Sequence, residues 1–329
     1  MLCEPSTRLI NWLPWPTPFE DGLVTPEDHD AMRSADAGCS APLIRNLVKQ
    51  TQLPRLEIQM ILSHVLEKPR VWLVAHDDAC LTEAQLTRFV ELHDRRIRGE
   101  PMAYLLGYRE FMGLELRVSP AVLIPRPETE CLVEAALDVL SGVSGVSTVN
   151  PMHAPRVLDL GTGSGAIAIA IAKARPDAHV VAVDISPDAL GLAKNNAKRH
   201  GVSIQWLLGS WFEPLVQQAL EKHSVDRQFD VVVSNPPYIA QGDVHLQTGD
   251  LRFEPTVALT DGSDGLSAYR LIIAQCGSFL RKGGALLFEH GFEQAIPVLE
   301  LMQAAGFGGI KTIPDLAGHP RVTAGFYNS

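Results

Sequence analysis

No apolar run in this 329-residue chain comes near the ~20 residues that a membrane-spanning helix needs; the longest is Ala166 to Ala172, and others such as Val231 to Val233 are shorter. A transmembrane helix is excluded, and no membrane partner is expected. Cysteine is scarce. Cys3, Cys39, Cys80, Cys131 and Cys276 are odd in number and never spaced C-x-x-C. That argues against a disulfide framework and against a zinc site, so no metal is expected. The N-terminus lacks a basic segment followed by an apolar one, so no secretory signal is read there and a cytoplasmic, reducing setting is expected. Basic charge is also short: 28 Lys and Arg against 38 Asp and Glu give a net charge of −10. Proteins that track phosphates are basic, so no direct nucleic-acid binding is expected. No internal repeat is present.

What is there divides into segments, as a length of two or three domains allows at ~100–200 residues each. Residues 1–40 hold two basic and seven acidic residues and five prolines between Pro5 and Pro26. Trp12-Leu13-Pro14-Trp15-Pro16 cannot continue a helix, and the segment reads as an acidic arm or, through its tryptophans, a docking element. Residues 41–108 read as a small helical domain of about four helices. Ile58, Ile61, Leu62, Val65 and Leu66 recur at i, i+3 and i+4 spacing. Thr82 with Gln85 is a capping box opening a further helix. Arg95, Arg96 and Arg98 read as a solvated basic face or a contact for an anionic partner. Residues 109–123 alternate around Gly113 and suggest a β-hairpin linker. Residues 124–329 form the remaining domain, with a Ser/Gly/Val-rich loop at 141–155.

From Arg156 onward strands and helices alternate. Strands are expected at Arg156–Leu160, His179–Asp184, Ile204–Leu208, Phe229–Ser234, Ala285–Glu289, Ile310–Ile313 and Val322–Tyr327. Continuous apolar strands separated by helices specify a doubly wound, mostly parallel sheet covered on both faces. After the first of them comes Asp159-Leu160-Gly161-Thr162-Gly163-Ser164-Gly165-Ala166. Such a glycine turn lets a ligand approach the backbone at the strands' carboxyl ends. Asp184, about 20 residues on, suits a ribose. The segment also fits a dinucleotide fingerprint through Gly161, Gly163 and Ala166. Asp159 favours the alternative, because an acid before the first glycine suits the ammonium of S-adenosylmethionine better than a pyrophosphate.

Ser234-Asn235-Pro236-Pro237-Tyr238 follows the fourth strand, which a doubly wound order sets beside the first. A planar NH₂ is a poor nucleophile that donates two hydrogens. The Asn235 Oδ1 and the Pro236 carbonyl can accept both, and Tyr238 can wall the planar group. With Pro237 making the turn rigid, the tetrapeptide points to nitrogen methylation of an adenine, a cytosine or a glutamine.

The chain resembles the glutamine methyltransferases that modify peptide chain release factors. The likeness runs from about Leu56 to Tyr327. It rests on Gly99-Glu100-Pro101-Met102-Ala103-Tyr104, Gly107-Tyr108-Arg109-Glu110-Phe111 and Leu123-Ile124-Pro125-Arg126-Pro127-Glu128-Thr129-Glu130. Further along, it rests on the Asp159–Gly165 loop, Asn235–Tyr238, Asp250-Leu251-Arg252-Phe253-Glu254-Pro255, Asp264-Gly265-Leu266 and Glu289-His290-Gly291. The resemblance implies an α/β methyltransferase sheet of seven strands. The helical domain would help dock the protein substrate. It implies S-adenosylmethionine as donor, S-adenosylhomocysteine as product, and the glutamine of a release factor's Gly-Gly-Gln loop as acceptor. Gly161, Thr162, Gly163, Ser164 and Gly165 would follow the methionine part, Asp184 the ribose and Trp211 the adenine. The family often has Asp where Ser210 stands. Asn235, Pro236, Pro237 and Tyr238 would hold the amide. The sister family that methylates a large-subunit ribosomal protein shares the tetrapeptide, as do DNA adenine methyltransferases; Arg126–Glu130 favours the release-factor group.

Overall fold

The computed structural model describes residues 42–49, 51–142, 154–221 and 228–328. The acidic arm and most of the 141–155 loop lie outside the described residues. The chain divides into two compact units, the first ending at Glu100 and the second beginning at Pro101.

Among the described residues the first unit holds four helices, Ile44–Lys49, Arg55–Leu66, Arg70–Ala75 and Glu83–Ile97. The last opens on the expected capping box: Gln85 N–H donates to Thr82 Oγ1 at 3.3 Å, and Thr82 N–H donates to Gln85 Oε1 at 2.9 Å. The basic cluster divides: Arg98 is exposed, Arg95 half-buried and Arg96 turned inward. Arg96 is buried and pairs through two bonds of 2.7 and 2.9 Å with buried Glu57. Arg95 makes a two-pronged pair with Glu100 at 2.8 and 2.6 Å. Cys131 and Cys276 are free thiols.

The second unit starts with a short helix, Met102–Leu106, and a hairpin of β1 (Tyr108–Phe111) and β2 (Leu114–Arg117). Met112 and Gly113 both take positive φ in the turn (50° and 73°), the conformation that matches strand twist in a two-residue hairpin. The main sheet holds β3 (Arg156–Leu160), β4 (His179–Asp184), β5 (Gln205–Leu208), β6 (Phe229–Ser234), β7 (Leu280–Glu289), β8 (Phe307–Pro314) and β9 (Pro320–Tyr327). Their order is β5-β4-β3-β6-β7-β9-β8, with β9 antiparallel to both neighbours and the rest parallel.

Period-2 alternation sorts each strand between two cores. Val231 and Val233 pack on one face with Val157, Leu287 and the helix Glu130–Leu140. Val232 packs on the other with Leu158, Leu286 and the helix Ser267–Cys276. The helix Ala166–Ala174 is apolar all round and buried over its first seven residues, so it holds the glycine loop rigidly against the sheet.

Candidate active site

Three strand ends place the candidate site. Leu160 pairs with Val183 on one side and Ser234 on the other, so β3, β4 and β6 end side by side. The chain leaves them through Gly161–Gly165, Asp184–Ser186 and Asn235–Tyr238. A cavity of ≈ 300 Å³ opens over these ends.

Of the residues singled out from sequence, Gly161, Gly163, Asp184, Trp211, Asn235 and Pro237 line the cavity, and Ser210 joins them. Asp184 Oδ2 accepts the Gly163 N–H at 2.8 Å and Oδ1 accepts the Ser186 N–H at 2.9 Å. The Ile185 N–H is a third backbone donor to this carboxylate, which with about four lone-pair sites keeps capacity for a ligand hydroxyl. Burial pushes this carboxyl above its ordinary value, against those backbone bonds. Trp211 lays its ring against Gly161.

Asp159, Thr162, Ser164, Gly165, Pro236 and Tyr238 stand outside the lining. Asp159 is wholly buried beneath the loop. Its Oδ2 accepts from Thr162 Oγ1 at 2.6 Å and from the Ala168 N–H at 3.2 Å, bracing the loop to its helix. Its Oδ1 has no hydrogen-bond partner among the described residues, and burial pushes the carboxyl up to about 7. Gly165 sits at φ +83°, where a Cβ would stand 3.1 Å from the Ala193 Cβ. Only glycine lets the loop close on the helix Pro187–His200 there.

The Tyr238 backbone is held from outside. Its carbonyl accepts from Gln294 Nε2 at 2.9 Å, and the same nitrogen donates to the Gly265 carbonyl at 3.2 Å. A Cβ on Gly265 (φ +79°) would collide with the Tyr238 carbonyl oxygen. Burial holds the Tyr238 phenol well above its ordinary value, so it stays neutral and supplies no base. Asn235 Nδ2 donates to Thr129 Oγ1 at 3.3 Å.

Ala121, Val122 and Leu123 form a further wall of the cavity. The Tyr104 hydroxyl donates to the Val122 carbonyl at 2.6 Å. Glu254 accepts the Ile124 N–H at 3.0 Å and pairs with Arg126. Two motifs some 130 residues apart in sequence thus meet at one carboxylate. Sequence reasoning missed Ser186, Asp261, Ser267 and Leu271 in the lining. Asp261 had a readable signal, the turn Asp261-Gly262. Its carboxylate accepts the N–H groups of Ser263, Gly265 and Ser267 at 2.9, 3.0 and 2.8 Å.

Comparison with known proteins agrees with this architecture. Residues 143–256 match the family described as Methyltransferase small domain, and residues 44–107 match the PrmC N-terminal domain. The release factor glutamine methyltransferase of Bordetella pertussis is 47% identical over 284 residues, covering 86% of this chain and 99% of the relative. Those of Neisseria gonorrhoeae (47%, 84% of this chain and 95% of the relative) and Burkholderia pseudomallei (45%, 85% and 94%) are similar. Among solved structures, the hMettl16 catalytic domain in complex with the MAT2A 3′UTR hairpin 1 superposes with a TM-score of 0.50 at 14% identity. It covers 75% of this chain and 81% of that one, and it shows the fold alone. A chain that aligns with almost the full length of such relatives at this identity belongs to the release factor glutamine methyltransferase family.

Proposed function

We propose that this protein transfers a methyl group from S-adenosylmethionine to the side-chain amide nitrogen of the glutamine in the Gly-Gly-Gln loop of peptide chain release factors. The observation that carries this reading is the opening of Asn235, Gly163 and Asp184 onto one cavity. That cavity joins an acceptor for an amide NH₂ to a place for a nucleoside. The names of the relatives support the release factor as acceptor. Such a substrate places the reaction in the cytoplasm and requires no contact with nucleic acid. No described helix is long and apolar enough to cross a membrane.

The residues present fit the donor. Space is open where a Cβ on Gly163 would stand. Asp184 offers lone pairs to ribose hydroxyls, and Val183, Ile185, Trp211 and Leu271 give apolar walls. The buried Asp159 Oδ1, without a hydrogen-bond partner among the described residues, would face an ammonium directly or through water once the carboxyl is ionised. S-adenosylmethionine, when bound, supplies a methyl group made electrophilic by its sulfonium. The Asn235 Oδ1 and the Pro236 carbonyl accept the two amide hydrogens, orienting the nitrogen and favouring the positive charge that develops on it. Tyr238 supports the planar group on an apolar face. No base is needed before transfer, because the proton leaves afterwards.

Mass spectrometry of release-factor peptides after incubation with the protein and labelled cofactor tests this. One added methyl on the Gly-Gly-Gln glutamine is expected. Label on a large-subunit ribosomal protein, with release factor untouched, would move the protein to the sister activity. Label on unmethylated plasmid would move it to DNA.

A further inference from the structure

Thr129 and Glu289 lie behind the tetrapeptide, and the chemistry above gives neither of them a task. Glu289 ends β7, next to β6, and Thr129 ends the turn Pro127–Thr129. Both are buried, at 1% and 4% exposure. The Thr129 hydroxyl is hydrogen-bonded to the Glu289 carboxyl. The second Glu289 oxygen, Oε2, has no hydrogen-bond partner among the described residues. Asn235 Nδ2 reaches Thr129 from the other side, at 3.3 Å.

From this geometry we infer that Glu289 and Thr129 are positioning residues that fix which end of the Asn235 carboxamide faces the substrate. A threonine hydroxyl has one hydrogen. Committed to the Glu289 carboxyl, it leaves Thr129 Oγ1 as an acceptor only. An acceptor there takes Asn235 Nδ2 and turns Oδ1 away from Thr129. The flipped amide would set Oδ1 against Thr129 Oγ1 with no hydrogen between them. It would also present N–H groups to a substrate NH₂, donor against donor. Accommodating the flip by handing the Thr129 hydrogen to Asn235 would strand a buried carboxyl.

Burial pushes the Glu289 carboxyl up to about 7, with Arg321, Arg126 and Glu128 as its charged neighbours. Charge is not required for the task. In the neutral form the task requires the proton to sit on Oε2, which leaves the other oxygen to accept from Thr129.

The inference rests on Asn235 Oδ1 receiving the substrate amide, and its test separates the two. The resting protein, labelled with ¹⁵N-asparagine, reports the exchange rate of the Asn235 carboxamide protons. Slow exchange is expected in the wild type, with Thr129→Val raising the rate ~10-fold or more and Thr129→Ser leaving it low. Wild-type exchange as fast as that of a solvent-exposed asparagine overturns the inference, whether or not release factor is methylated. In turnover, Thr129→Val should lower kcat for release factor by ~30-fold or more, somewhat less than loss of the acceptor itself, with KM and cofactor Kd within ~2-fold. Thr129→Ser should bring kcat back to within ~3-fold. The double variant Thr129→Val/Glu289→Leu should be no slower than the worse single, as for links in series. A kcat for Thr129→Val within ~2-fold of wild type, or losses that multiply in the double variant, overturns the inference. If Glu289→Leu does not fold, the Thr129→Val and Thr129→Ser pair decides alone.

Discussion

Replacing Asn235 with alanine removes the Oδ1 acceptor while leaving Gly161, Gly163 and Asp184 in place at the other strand ends. Turnover should fall ~10²-fold or more, as for loss of one preorganised hydrogen-bonding group. The affinity for S-adenosylmethionine, measured by calorimetry, should hold. Near-normal turnover would remove Asn235 from the chemistry. Asp184→Ala should do the converse and chiefly weaken cofactor affinity. Gly265 makes a separate case, because it stands outside the cavity lining. Its positive φ alone costs an alanine roughly 1–3 kcal/mol, and the new Cβ must displace the Tyr238 carbonyl. Gly265→Ala should therefore lower both the melting temperature and kcat. A variant with lowered stability and unchanged kcat would show that the Tyr238 backbone has slack.

At the scale of elements, one buried side chain ties three segments together. Asn196, on the helix Pro187–His200, accepts the Arg117 N–H at 2.8 Å and donates to the carbonyls of Arg117 and Ser164 at 3.0 and 2.9 Å. It thereby joins β2 to the glycine loop. Asn196→Ala strands those groups and should cost ~1–3 kcal/mol in chemical denaturation. It should also loosen cofactor binding through the loop. Nothing in the sequence marks Asn196, because a mid-helix asparagine has no local pattern and its partners lie 79 and 32 residues away.

The same distance rule explains what was legible. β4 and β6 match expectation residue for residue, since a strand buried on both faces reads as an uninterrupted apolar run. β8 and β9 run longer than their apolar cores, because antiparallel pairing carries on past the last buried side chain. Within the Arg95–Arg98 cluster only Arg96 departs from a solvated face, and its partner Glu57 lies 39 residues away with no local sign. In the site, the glycine loop and the tetrapeptide were legible as motifs. Motifs do not separate lining from support. Asp159, Thr162, Ser164 and Gly165 share the loop's signature with Gly161 and Gly163 yet sit behind it.

For the whole molecule, the buried carboxyls set how stability varies with pH. Asp159 and Glu289 are both pushed up to about 7, from ordinary values of 3.8 and 4.5, with burial the leading cause in each. A carboxyl raised on folding binds its proton more tightly in the folded state. Its contribution is therefore full below the unfolded value and is lost as pH rises through the folded one. Asp184 and Glu254 are raised as well and act in the same direction. His290, held below its ordinary value by burial, opposes them below about pH 6.5 as a single group. The cofactor-free protein should thus lose stability between about pH 4.5 and 7, by up to roughly 1.4 kcal/mol per pH unit for each fully titrating carboxyl. Asp159→Asn should flatten part of that slope in urea unfolding followed across the range. Cofactor should act on the same group if its ammonium draws on Asp159. Binding would then favour the ionised carboxyl, release protons, and tighten as pH rises toward 7, and Asp159→Asn should abolish that pH dependence. Calorimetry in buffers of different ionisation enthalpy reads the proton release. Binding that releases no proton at pH 6 would show that Asp159 braces the loop through Thr162 and Ala168 and takes no part in holding the ligand.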